Sequence, residues 1–299
     1  MRVGTWIGRG LITIVGLVAV TAGGVYAKSS YDLSRKGAAA DRPALTIPTD
    51  SSSLALGHKL TSVNGCRECH GPNLGGTVMA DDPAFGRLVA PNLTRGKGGV
   101  LARYDDRALD MAIREGLAAD GRKLFIMPSE EFSALADADV AAIIADLRAS
   151  APVDTVLPPM SLGPIARALL ISGKIPLGYD VIDHQRKTLA VAPTGGTVEQ
   201  GRYIANGCVG CHMKDFGGGP VPGAGPDAKP SANLTPSGNL GKWSEAEFVR
   251  ALREGVRPDG STIDPSMPWK VLGLRSDEEL QALYLYLRSL PPKAVAAAK

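Results

Sequence analysis

All four cysteines of the chain fall in two short segments, Cys66-Arg67-Glu68-Cys69-His70 and Cys208-Val209-Gly210-Cys211-His212, which also use two of its four histidines. Cysteines three positions apart lie one turn apart on a helix face, and a histidine one position further shares that face. Such a set can close thioether bonds to two vinyl groups on one porphyrin edge while the imidazole ligates the iron at its centre. Cys-x-x-Cys-His is accordingly the attachment signature of c-type haem. Two copies, 142 residues apart, predict two covalently attached haem c groups. Other uses of Cys-x-x-Cys fit less well. A structural zinc site needs four ligands, and neither segment has a second pair close in sequence. A thioredoxin-like pair belongs beside a βαβ pattern and gives the trailing histidine no purpose. Two plain disulfides leave both histidines unexplained.

The ligand on the other face of each iron sets the chemistry. Met127 lies 57 residues after His70 and Met267 lies 55 after His212, and each precedes a proline. Proline cannot bond back into a helix, so it suits a loop stretched over a haem face. Methionines are common gap fillers in cores, but the paired position favours ligation, and His/Met is a standard cytochrome c arrangement. Met111 sits inside an amphipathic pattern and reads as core. Met213 adjoins His212 and cannot cross to the far face, while Met79 and Met160 have no counterparts. His58 reads as a surface residue on the helix before the first motif. His184, in a connector, would have to displace an available methionine. Two closed, six-coordinate irons leave no position for substrate, and thioether ligation raises the potential; both point to electron transfer. No Ser/His/Asp set, carboxylate pair or flavin fingerprint accompanies them, so the chain reads as an electron carrier and not an enzyme.

The elements that must position these residues are written twice. Asn92-Leu93-Thr94 recurs as Asn233-Leu234-Thr235, Arg114-Glu115-Gly116 as Arg253-Glu254-Gly255, Asp120-Gly121 as Asp259-Gly260 and Met127-Pro128 as Met267-Pro268, with offsets between 139 and 142. So long a register predicts two complete domains, 45–152 and 194–293. In each, a helix bearing the haem motif (54–65 and 198–207) precedes a second helix (105–117 and 244–256). Asp105 caps the first copy of that second helix, and Ser244 with Glu247 forms a capping box in the other. The closing helices are the clearest. Val140, Ile143, Ile144 and Leu147 fall at i, i+3, i+4 and i+7, as do Leu280, Leu283, Tyr284 and Leu287. Ser276 with Glu279 caps the second, and Pro152 and Pro291 mark the exits. No sustained strand alternation is visible, so the expectation is all-α. The connector 153–193 is rich in proline and too long for a hinge. Pro164 to Ile171 predicts one short helix within it, with proline at the first position, and the connector should wrap a domain surface and fix the angle between the haems. Gly217 to Pro230, with nine glycines or prolines in fourteen residues, reads as a loop passing the second haem. No strand precedes it and no Gly-Lys-Ser/Thr ends it, as a phosphate loop would require.

The N-terminal segment, 1–30, is a membrane anchor or an export signal. Arg2 and Arg9 precede the uncharged stretch Leu11 to Ala27. Val25-Tyr26-Ala27 offers small residues for cleavage, but Trp6 and Ile7 extend the apolar stretch to spanning length, which favours a retained transmembrane helix. Either way, the charge bias leaves the N-terminus in the cytoplasm and sends the rest to the periplasm. Formal net charge is +3. With no basic run, nothing points to nucleic acid.

On these residues the chain resembles the bacterial membrane-anchored dihaem cytochromes c, which carry two tandem class I cytochrome c domains. The similarity covers nearly the whole length and rests on the anchor, both motifs, both Asn-Leu-Thr loops, both Met-Pro pairs and the closing helices. It implies haem c bound through Cys66, Cys69, Cys208 and Cys211, with iron ligation by His70, Met127, His212 and Met267. It also implies redox partners: a membrane dehydrogenase, a quinol-oxidising complex, a soluble cytochrome or a terminal oxidase. The rival class is a dihaem enzyme such as a cytochrome c peroxidase, which needs one iron that opens to substrate, often beside a histidine.

Overall fold

The computed structural model describes residues 3–222, 224–225 and 227–293, with residues 3–9 described as helical backbone only. Arg2 and the side chains of Trp6 and Arg9 therefore lie outside the described residues. Helix α1 (Val3–Ser34) is uniformly apolar through its middle. Leu11, Ile12, Val15 and Val18 stand exposed along it, and from Gly10 it is long and apolar enough to cross a membrane.

The first half follows with α2 (Ser51–Val63), α3 (Cys66–His70), α4 (Asp106–Glu115), α5 (Ser129–Phe132) and α6 (Asp137–Ala149). Asp50 caps α2 by accepting from Ser53 N, and Asp105 caps α4 by accepting from Ala108 N at 2.7 Å. The connector holds α7 (Pro164–Ile171), with the expected proline in its first turn, and α8 (Gly178–Val181). The second half repeats the plan with α9 (Val198–Ala205), α10 (Val209–His212), α11 (Glu245–Glu254), α12 (Trp269–Leu272) and α13 (Asp277–Ser289). Both expected capping boxes, Ser244/Glu247 and Ser276/Glu279, are formed.

Each half is built on a crossing of its first and last helices. α2 packs on α6, and α9 packs on α13. The apolar stripe of α6 is fully used: Val140, Ile143, Ile144 and Leu147 are all buried with Leu60, Val63, Leu109 and Ile113. In the second half Leu280, Leu283 and Leu287 close on Ile204, Phe248 and Leu252. The same arginine bond steadies both halves. Arg114 on α4 reaches Asp137, the first residue of α6, at 2.5 Å, and Arg253 on α11 reaches Asp277, the first residue of α13, at 2.8 Å.

The all-α expectation needs one correction. Strand β1 (Thr77–Asp82) pairs antiparallel with β2 (Gly86–Ala90), which pairs in turn with β3 (Ser161–Leu162) from the connector. Residues 86–90 alternate between buried and half-buried, but over too short a run to stand out in a sequence window. Part of the pairing partner lies far along the chain, so the sheet depends on tertiary contact more than on local preference. The connector as a whole is packed on the first half. Leu162, Ala166, Leu170 and Leu177 share a core with Leu88, Phe125 and, from the end of α1, Leu33. Arg186 donates to both carboxylate oxygens of the fully buried Glu115, at 2.7 and 3.3 Å.

Candidate haem sites

The two cysteine motifs sit in matching frameworks. Cys66, Cys69 and His70 lie on α3, which starts from Gly65 in the left-handed conformation (φ 73°). Cys208 ends a 3₁₀ turn (Asn206–Cys208), and Cys211 and His212 lie on α10. After each histidine the chain turns back and bonds to the motif. Gly76 N donates to His70 O at 2.7 Å, and Gly218 N to His212 O at 3.2 Å. Thr77 Oγ1 donates to Cys69 O at 2.6 Å, and Ser231 Oγ to Cys211 O at 2.7 Å. Leu74 and Phe216 occupy the left-handed region at φ 61° and 58°, an unusual conformation for such side chains, which costs about 1–3 kcal/mol where it is imposed. Both are buried in their cores.

The Asn-Leu-Thr repeats explain how the imidazoles are aimed. In each, the asparagine side chain accepts from the threonine: Asn92 Oδ1 from Thr94 N at 2.9 Å, and Asn233 Oδ1 from Thr235 N at 2.8 Å. The central leucine N–H donates to the segment behind the motif, Leu93 N to Leu74 O and Leu234 N to Phe216 O, both at 2.8 Å. This staples the preceding carbonyl beside the histidine. His70 Nδ1 donates to Pro91 O at 2.8 Å, and His212 Nδ1 to Ala232 O at 2.7 Å. A donated Nδ1–H fixes the tautomer and leaves Nε2 as the nitrogen available to a metal. Burial lowers the pKa of both histidines, favouring the neutral ring that ligation requires. Sequence reasoning had not singled out Pro91 and Ala232. Their signal is positional: each directly precedes an Asn-Leu-Thr triplet.

No two of the four cysteines are joined in a disulfide. Before any haem is attached, burial pushes the Cys66 thiol up to about 12 and the Cys208 thiol up to about 11. Among the described residues no cluster of His, Cys, Asp and Glu is arranged to hold a metal ion by itself.

The methionine segments form tight turns instead of stretched loops, which modifies the expectation. Pro128 (φ −79°, ψ 58°) and Pro268 (φ −78°, ψ 51°) adopt inverse γ geometry. Each turn is closed across the proline, Ser129 N donating to Met127 O at 2.8 Å and Trp269 N to Met267 O at 2.7 Å. Proline pre-sets the φ that this turn needs. In the second half, Met267 and His212 line one open pocket with about 550 Å3 of empty space, walled by Leu234, Trp243, Phe248 and Leu252. In the first half, Met127, Leu93 and Tyr104 all pack on the core that holds Leu109 and Ile113, and these residues hold the corresponding sequence positions. An imidazole held by Nδ1, a thioether and apolar walls around one space, and two thiols one turn before the imidazole are the donor set that haem c requires.

The spare histidines are engaged elsewhere. His58 is exposed, with Nδ1 3.0 Å from Arg67. His184 places Nδ1 2.6 Å from Glu115 and Nε2 2.9 Å from Tyr179 O.

The two candidate sites are neighbours across the interface between the halves. The Met127 turn runs into α5, which packs on the turn carrying Cys208, and α12, after Met267, packs on α2. The Glu131 carboxylate fills the space where a Cβ on Gly210 would stand. Burial, with Glu130 adding to it, pushes Glu131 up to about 7. Tyr203 on α9 pins the interface by accepting from Ala136 N at 2.9 Å and donating to Asp139 at 2.6 Å. Lys59 and Glu279 pair across it at 2.9 Å.

Residues 198–291 match the family model for cytochrome c. That domain implies covalently bound haem c in this part of the chain. Over 283 residues the chain is 27% identical to the fructose dehydrogenase cytochrome subunit of Gluconobacter japonicus, covering 83% of this chain and 56% of that protein. It is 38% identical over 109 residues to the gluconate 2-dehydrogenase cytochrome c subunit of Pantoea cypripedii, covering 33% of this chain and 24% of that one. It is 36% identical over 97 residues to the alcohol dehydrogenase (quinone) cytochrome c subunit of Gluconacetobacter polyoxogenes, covering 30% and 21%. The chain thus spans about half the length of the first relative and a smaller share of the other two.

Proposed function

We propose that this chain is a membrane-anchored electron-transfer subunit with two tandem cytochrome c domains, 45–152 and 194–293. Haem c would be attached through Cys66 and Cys69 in one and through Cys208 and Cys211 in the other. His70 with Met127, and His212 with Met267, would be the iron ligands. The observation that carries this reading is the pocket shared by His212 and Met267, together with the same histidine–carbonyl bond and the same Met-Pro turn in the other half.

When bound, the haems supply a one-electron iron couple. The protein's part is orientation and exclusion of water. Pro91 O and Ala232 O hold the imidazoles, the Met-Pro turns present the thioethers, and Leu234, Trp243 and Phe248 keep the second pocket apolar. The packing of α5 against the Cys208 turn supports a relay between the two centres. The named roles of the relatives favour a dehydrogenase as electron donor. A quinone, a soluble cytochrome or an oxidase would accept the electrons. The run of α1 through Tyr26 and Ala27 into contacts with the connector supports a retained anchor over a cleaved signal, with the domains in the periplasm. The peroxidase reading draws no support from His184, whose two nitrogens are engaged by Glu115 and Tyr179.

The test is spectroscopic. The pyridine haemochrome should give two haems per chain, and the ferric protein should show the far-red sulfur-to-iron band. Met127→Ala and Met267→Ala should each remove about half of that band and lower one midpoint potential. One haem per chain, or a high-spin iron in the untreated protein, would sink the reading.

A further inference from the structure

Helix α7 has two apolar faces, and only one is used inside the protein. Ala166 and Leu170 turn inward, onto Leu33, Leu88 and Leu177. On the opposite side Ile165 (51% exposed) and Ile171 (37% exposed) stand in solvent, with Pro164 and Ala168 exposed between and beside them. Isolated exposed isoleucines are ordinary on a protein surface. Here they fall on a continuous stripe of one helix, with no charge in it. Arg167, the one charged residue of α7, is turned away from the stripe and toward α1. Its guanidinium donates to Ser29 Oγ at 2.8 Å and Ser30 Oγ at 3.0 Å, and it stacks 4.4 Å from the Tyr26 ring.

Those contacts fix the height of α7 along the anchor. The uncharged stretch of α1 ends at Ala27, and Lys28 follows it. Tyr26 and Lys28 are the residue types that mark a bilayer–water boundary. Arg167 therefore ties α7 to the level where α1 leaves the hydrocarbon. Leu33, half-buried against the same core as α7, makes the junction a packed one.

We propose that α7 is a membrane-surface helix, with Ile165, Ala168 and Ile171 seated in the acyl–headgroup boundary of the outer leaflet beside α1. The proposal rests on α1 being a retained span. The occupant is lipid because Arg167 ties the stripe's helix to Tyr26, Ser29 and Ser30, at the level where α1 leaves the hydrocarbon. Exposed Lys174, just past the end of the helix, stands where a lipid phosphate would meet it. The consequence is geometric. An anchor and an in-plane helix joined by packing give two lines of attachment, so the first half holds a set orientation over the membrane instead of swinging on a tether.

The experiment uses the full-length holoprotein in vesicles of phosphatidylethanolamine and phosphatidylglycerol. Two diazirine phospholipids are added separately, one reactive near the headgroup and one at the acyl end, and labelled peptides are read by mass spectrometry. The shallow probe should label the peptide holding residues 164–171, and the deep probe should label α1 alone. Labelled α1 with unlabelled α7 would overturn the surface helix and leave the anchor standing. If neither is labelled, the anchor reading fails and the proposal goes with it. An α7 face shielded from lipid probes and from a water-soluble carbene probe alike would belong to a protein contact, which also refutes a lipid one. Ile165→Asp combined with Ile171→Asp should abolish the α7 label while the haem spectrum and the α1 label stay unchanged. Persistence of the α7 label in that variant would refute the proposal.

Discussion

Gly201 and Gly57 should be sensitive positions at the helix crossings of the two halves, and Gly201→Ala shows why. Gly201 sits on α9 where it crosses α13. A Cβ there would lie 2.6 Å from the Ala282 carbonyl carbon and 2.7 Å from Tyr286 Cβ, and closer still to Ala282 O, where ordinary contact begins at 3.4 Å. The backbone of α13 cannot rotate away as a side chain would, so the helices must part by roughly 1 Å. A gap of that size forfeits about a quarter to a half of the dispersion energy of the atoms lining it. Overpacking of this kind costs about 1–3 kcal/mol, and more where backbone blocks relaxation. Alanine gains back about 1 kcal/mol through helix propensity. The net expectation is a loss of about 2 kcal/mol, or about 8–16 °C in Tm for a unit of about 100 residues. Because α9 leads directly into the turn carrying Cys208, the Met267 thioether band should weaken along with stability. Gly57→Ala repeats the conflict on α2, 2.8 Å from the Ala142 carbonyl carbon and 3.0 Å from Asp146 Cβ. Thermal unfolding of the holoprotein, followed by circular dichroism and by the haem band, is the assay. An alanine variant as stable as the parent, or more stable, would refute the view that close helix approach is what these glycines serve.

Three further outcomes follow from the interface and the connector. Glu131 sits near 7 in the folded chain because of burial, against about 4.3 for a free glutamate. Its protonated form is the one the fold prefers, so its contribution is complete below about pH 4.3 and is lost as pH rises to about 7. At about 1.4 kcal/mol per pH unit this amounts to roughly 4 kcal/mol. Urea unfolding of Glu131→Gln should lack that slope, and a slope equal to the parent's would contradict the assignment. Tyr203→Phe removes the acceptor of Ala136 N and the donor to Asp139. It should cost about 2 kcal/mol through the unpaired buried groups and increase amide exchange at the start of α6, whereas exchange confined to α9 would argue against a pin between the halves. Arg186→Met leaves the fully buried Glu115 with Arg42 and His184 alone. The loss should be about 3 kcal/mol or more, and limited proteolysis should then cut within 153–193; an uncut connector would place its anchorage elsewhere.

What the sequence determined by itself was local chemistry and local geometry. The attachment motifs declare themselves because two thiols and an imidazole must share one helix face. The capping boxes at Ser244 and Ser276, the stripe Val140–Leu147 and the proline opening α7 are readable because their physics acts within a turn or two of chain. Tertiary structure decided everything that required residues far apart to meet. That Pro91 O and Ala232 O orient the imidazoles depends on a loop folding back some twenty residues later. That the Met-Pro pairs form tight turns depends on φ and ψ together, and proline restricts φ far more than ψ. The short sheet exists because the connector returns to β2. Glu115 and Glu254 occupy the same place in the repeat, yet one is buried under Arg186 and the other is exposed, because the connector lies on the first half. The repeat therefore specified two similar frameworks, while long-range packing decided how they face each other and how α7 lies against α1.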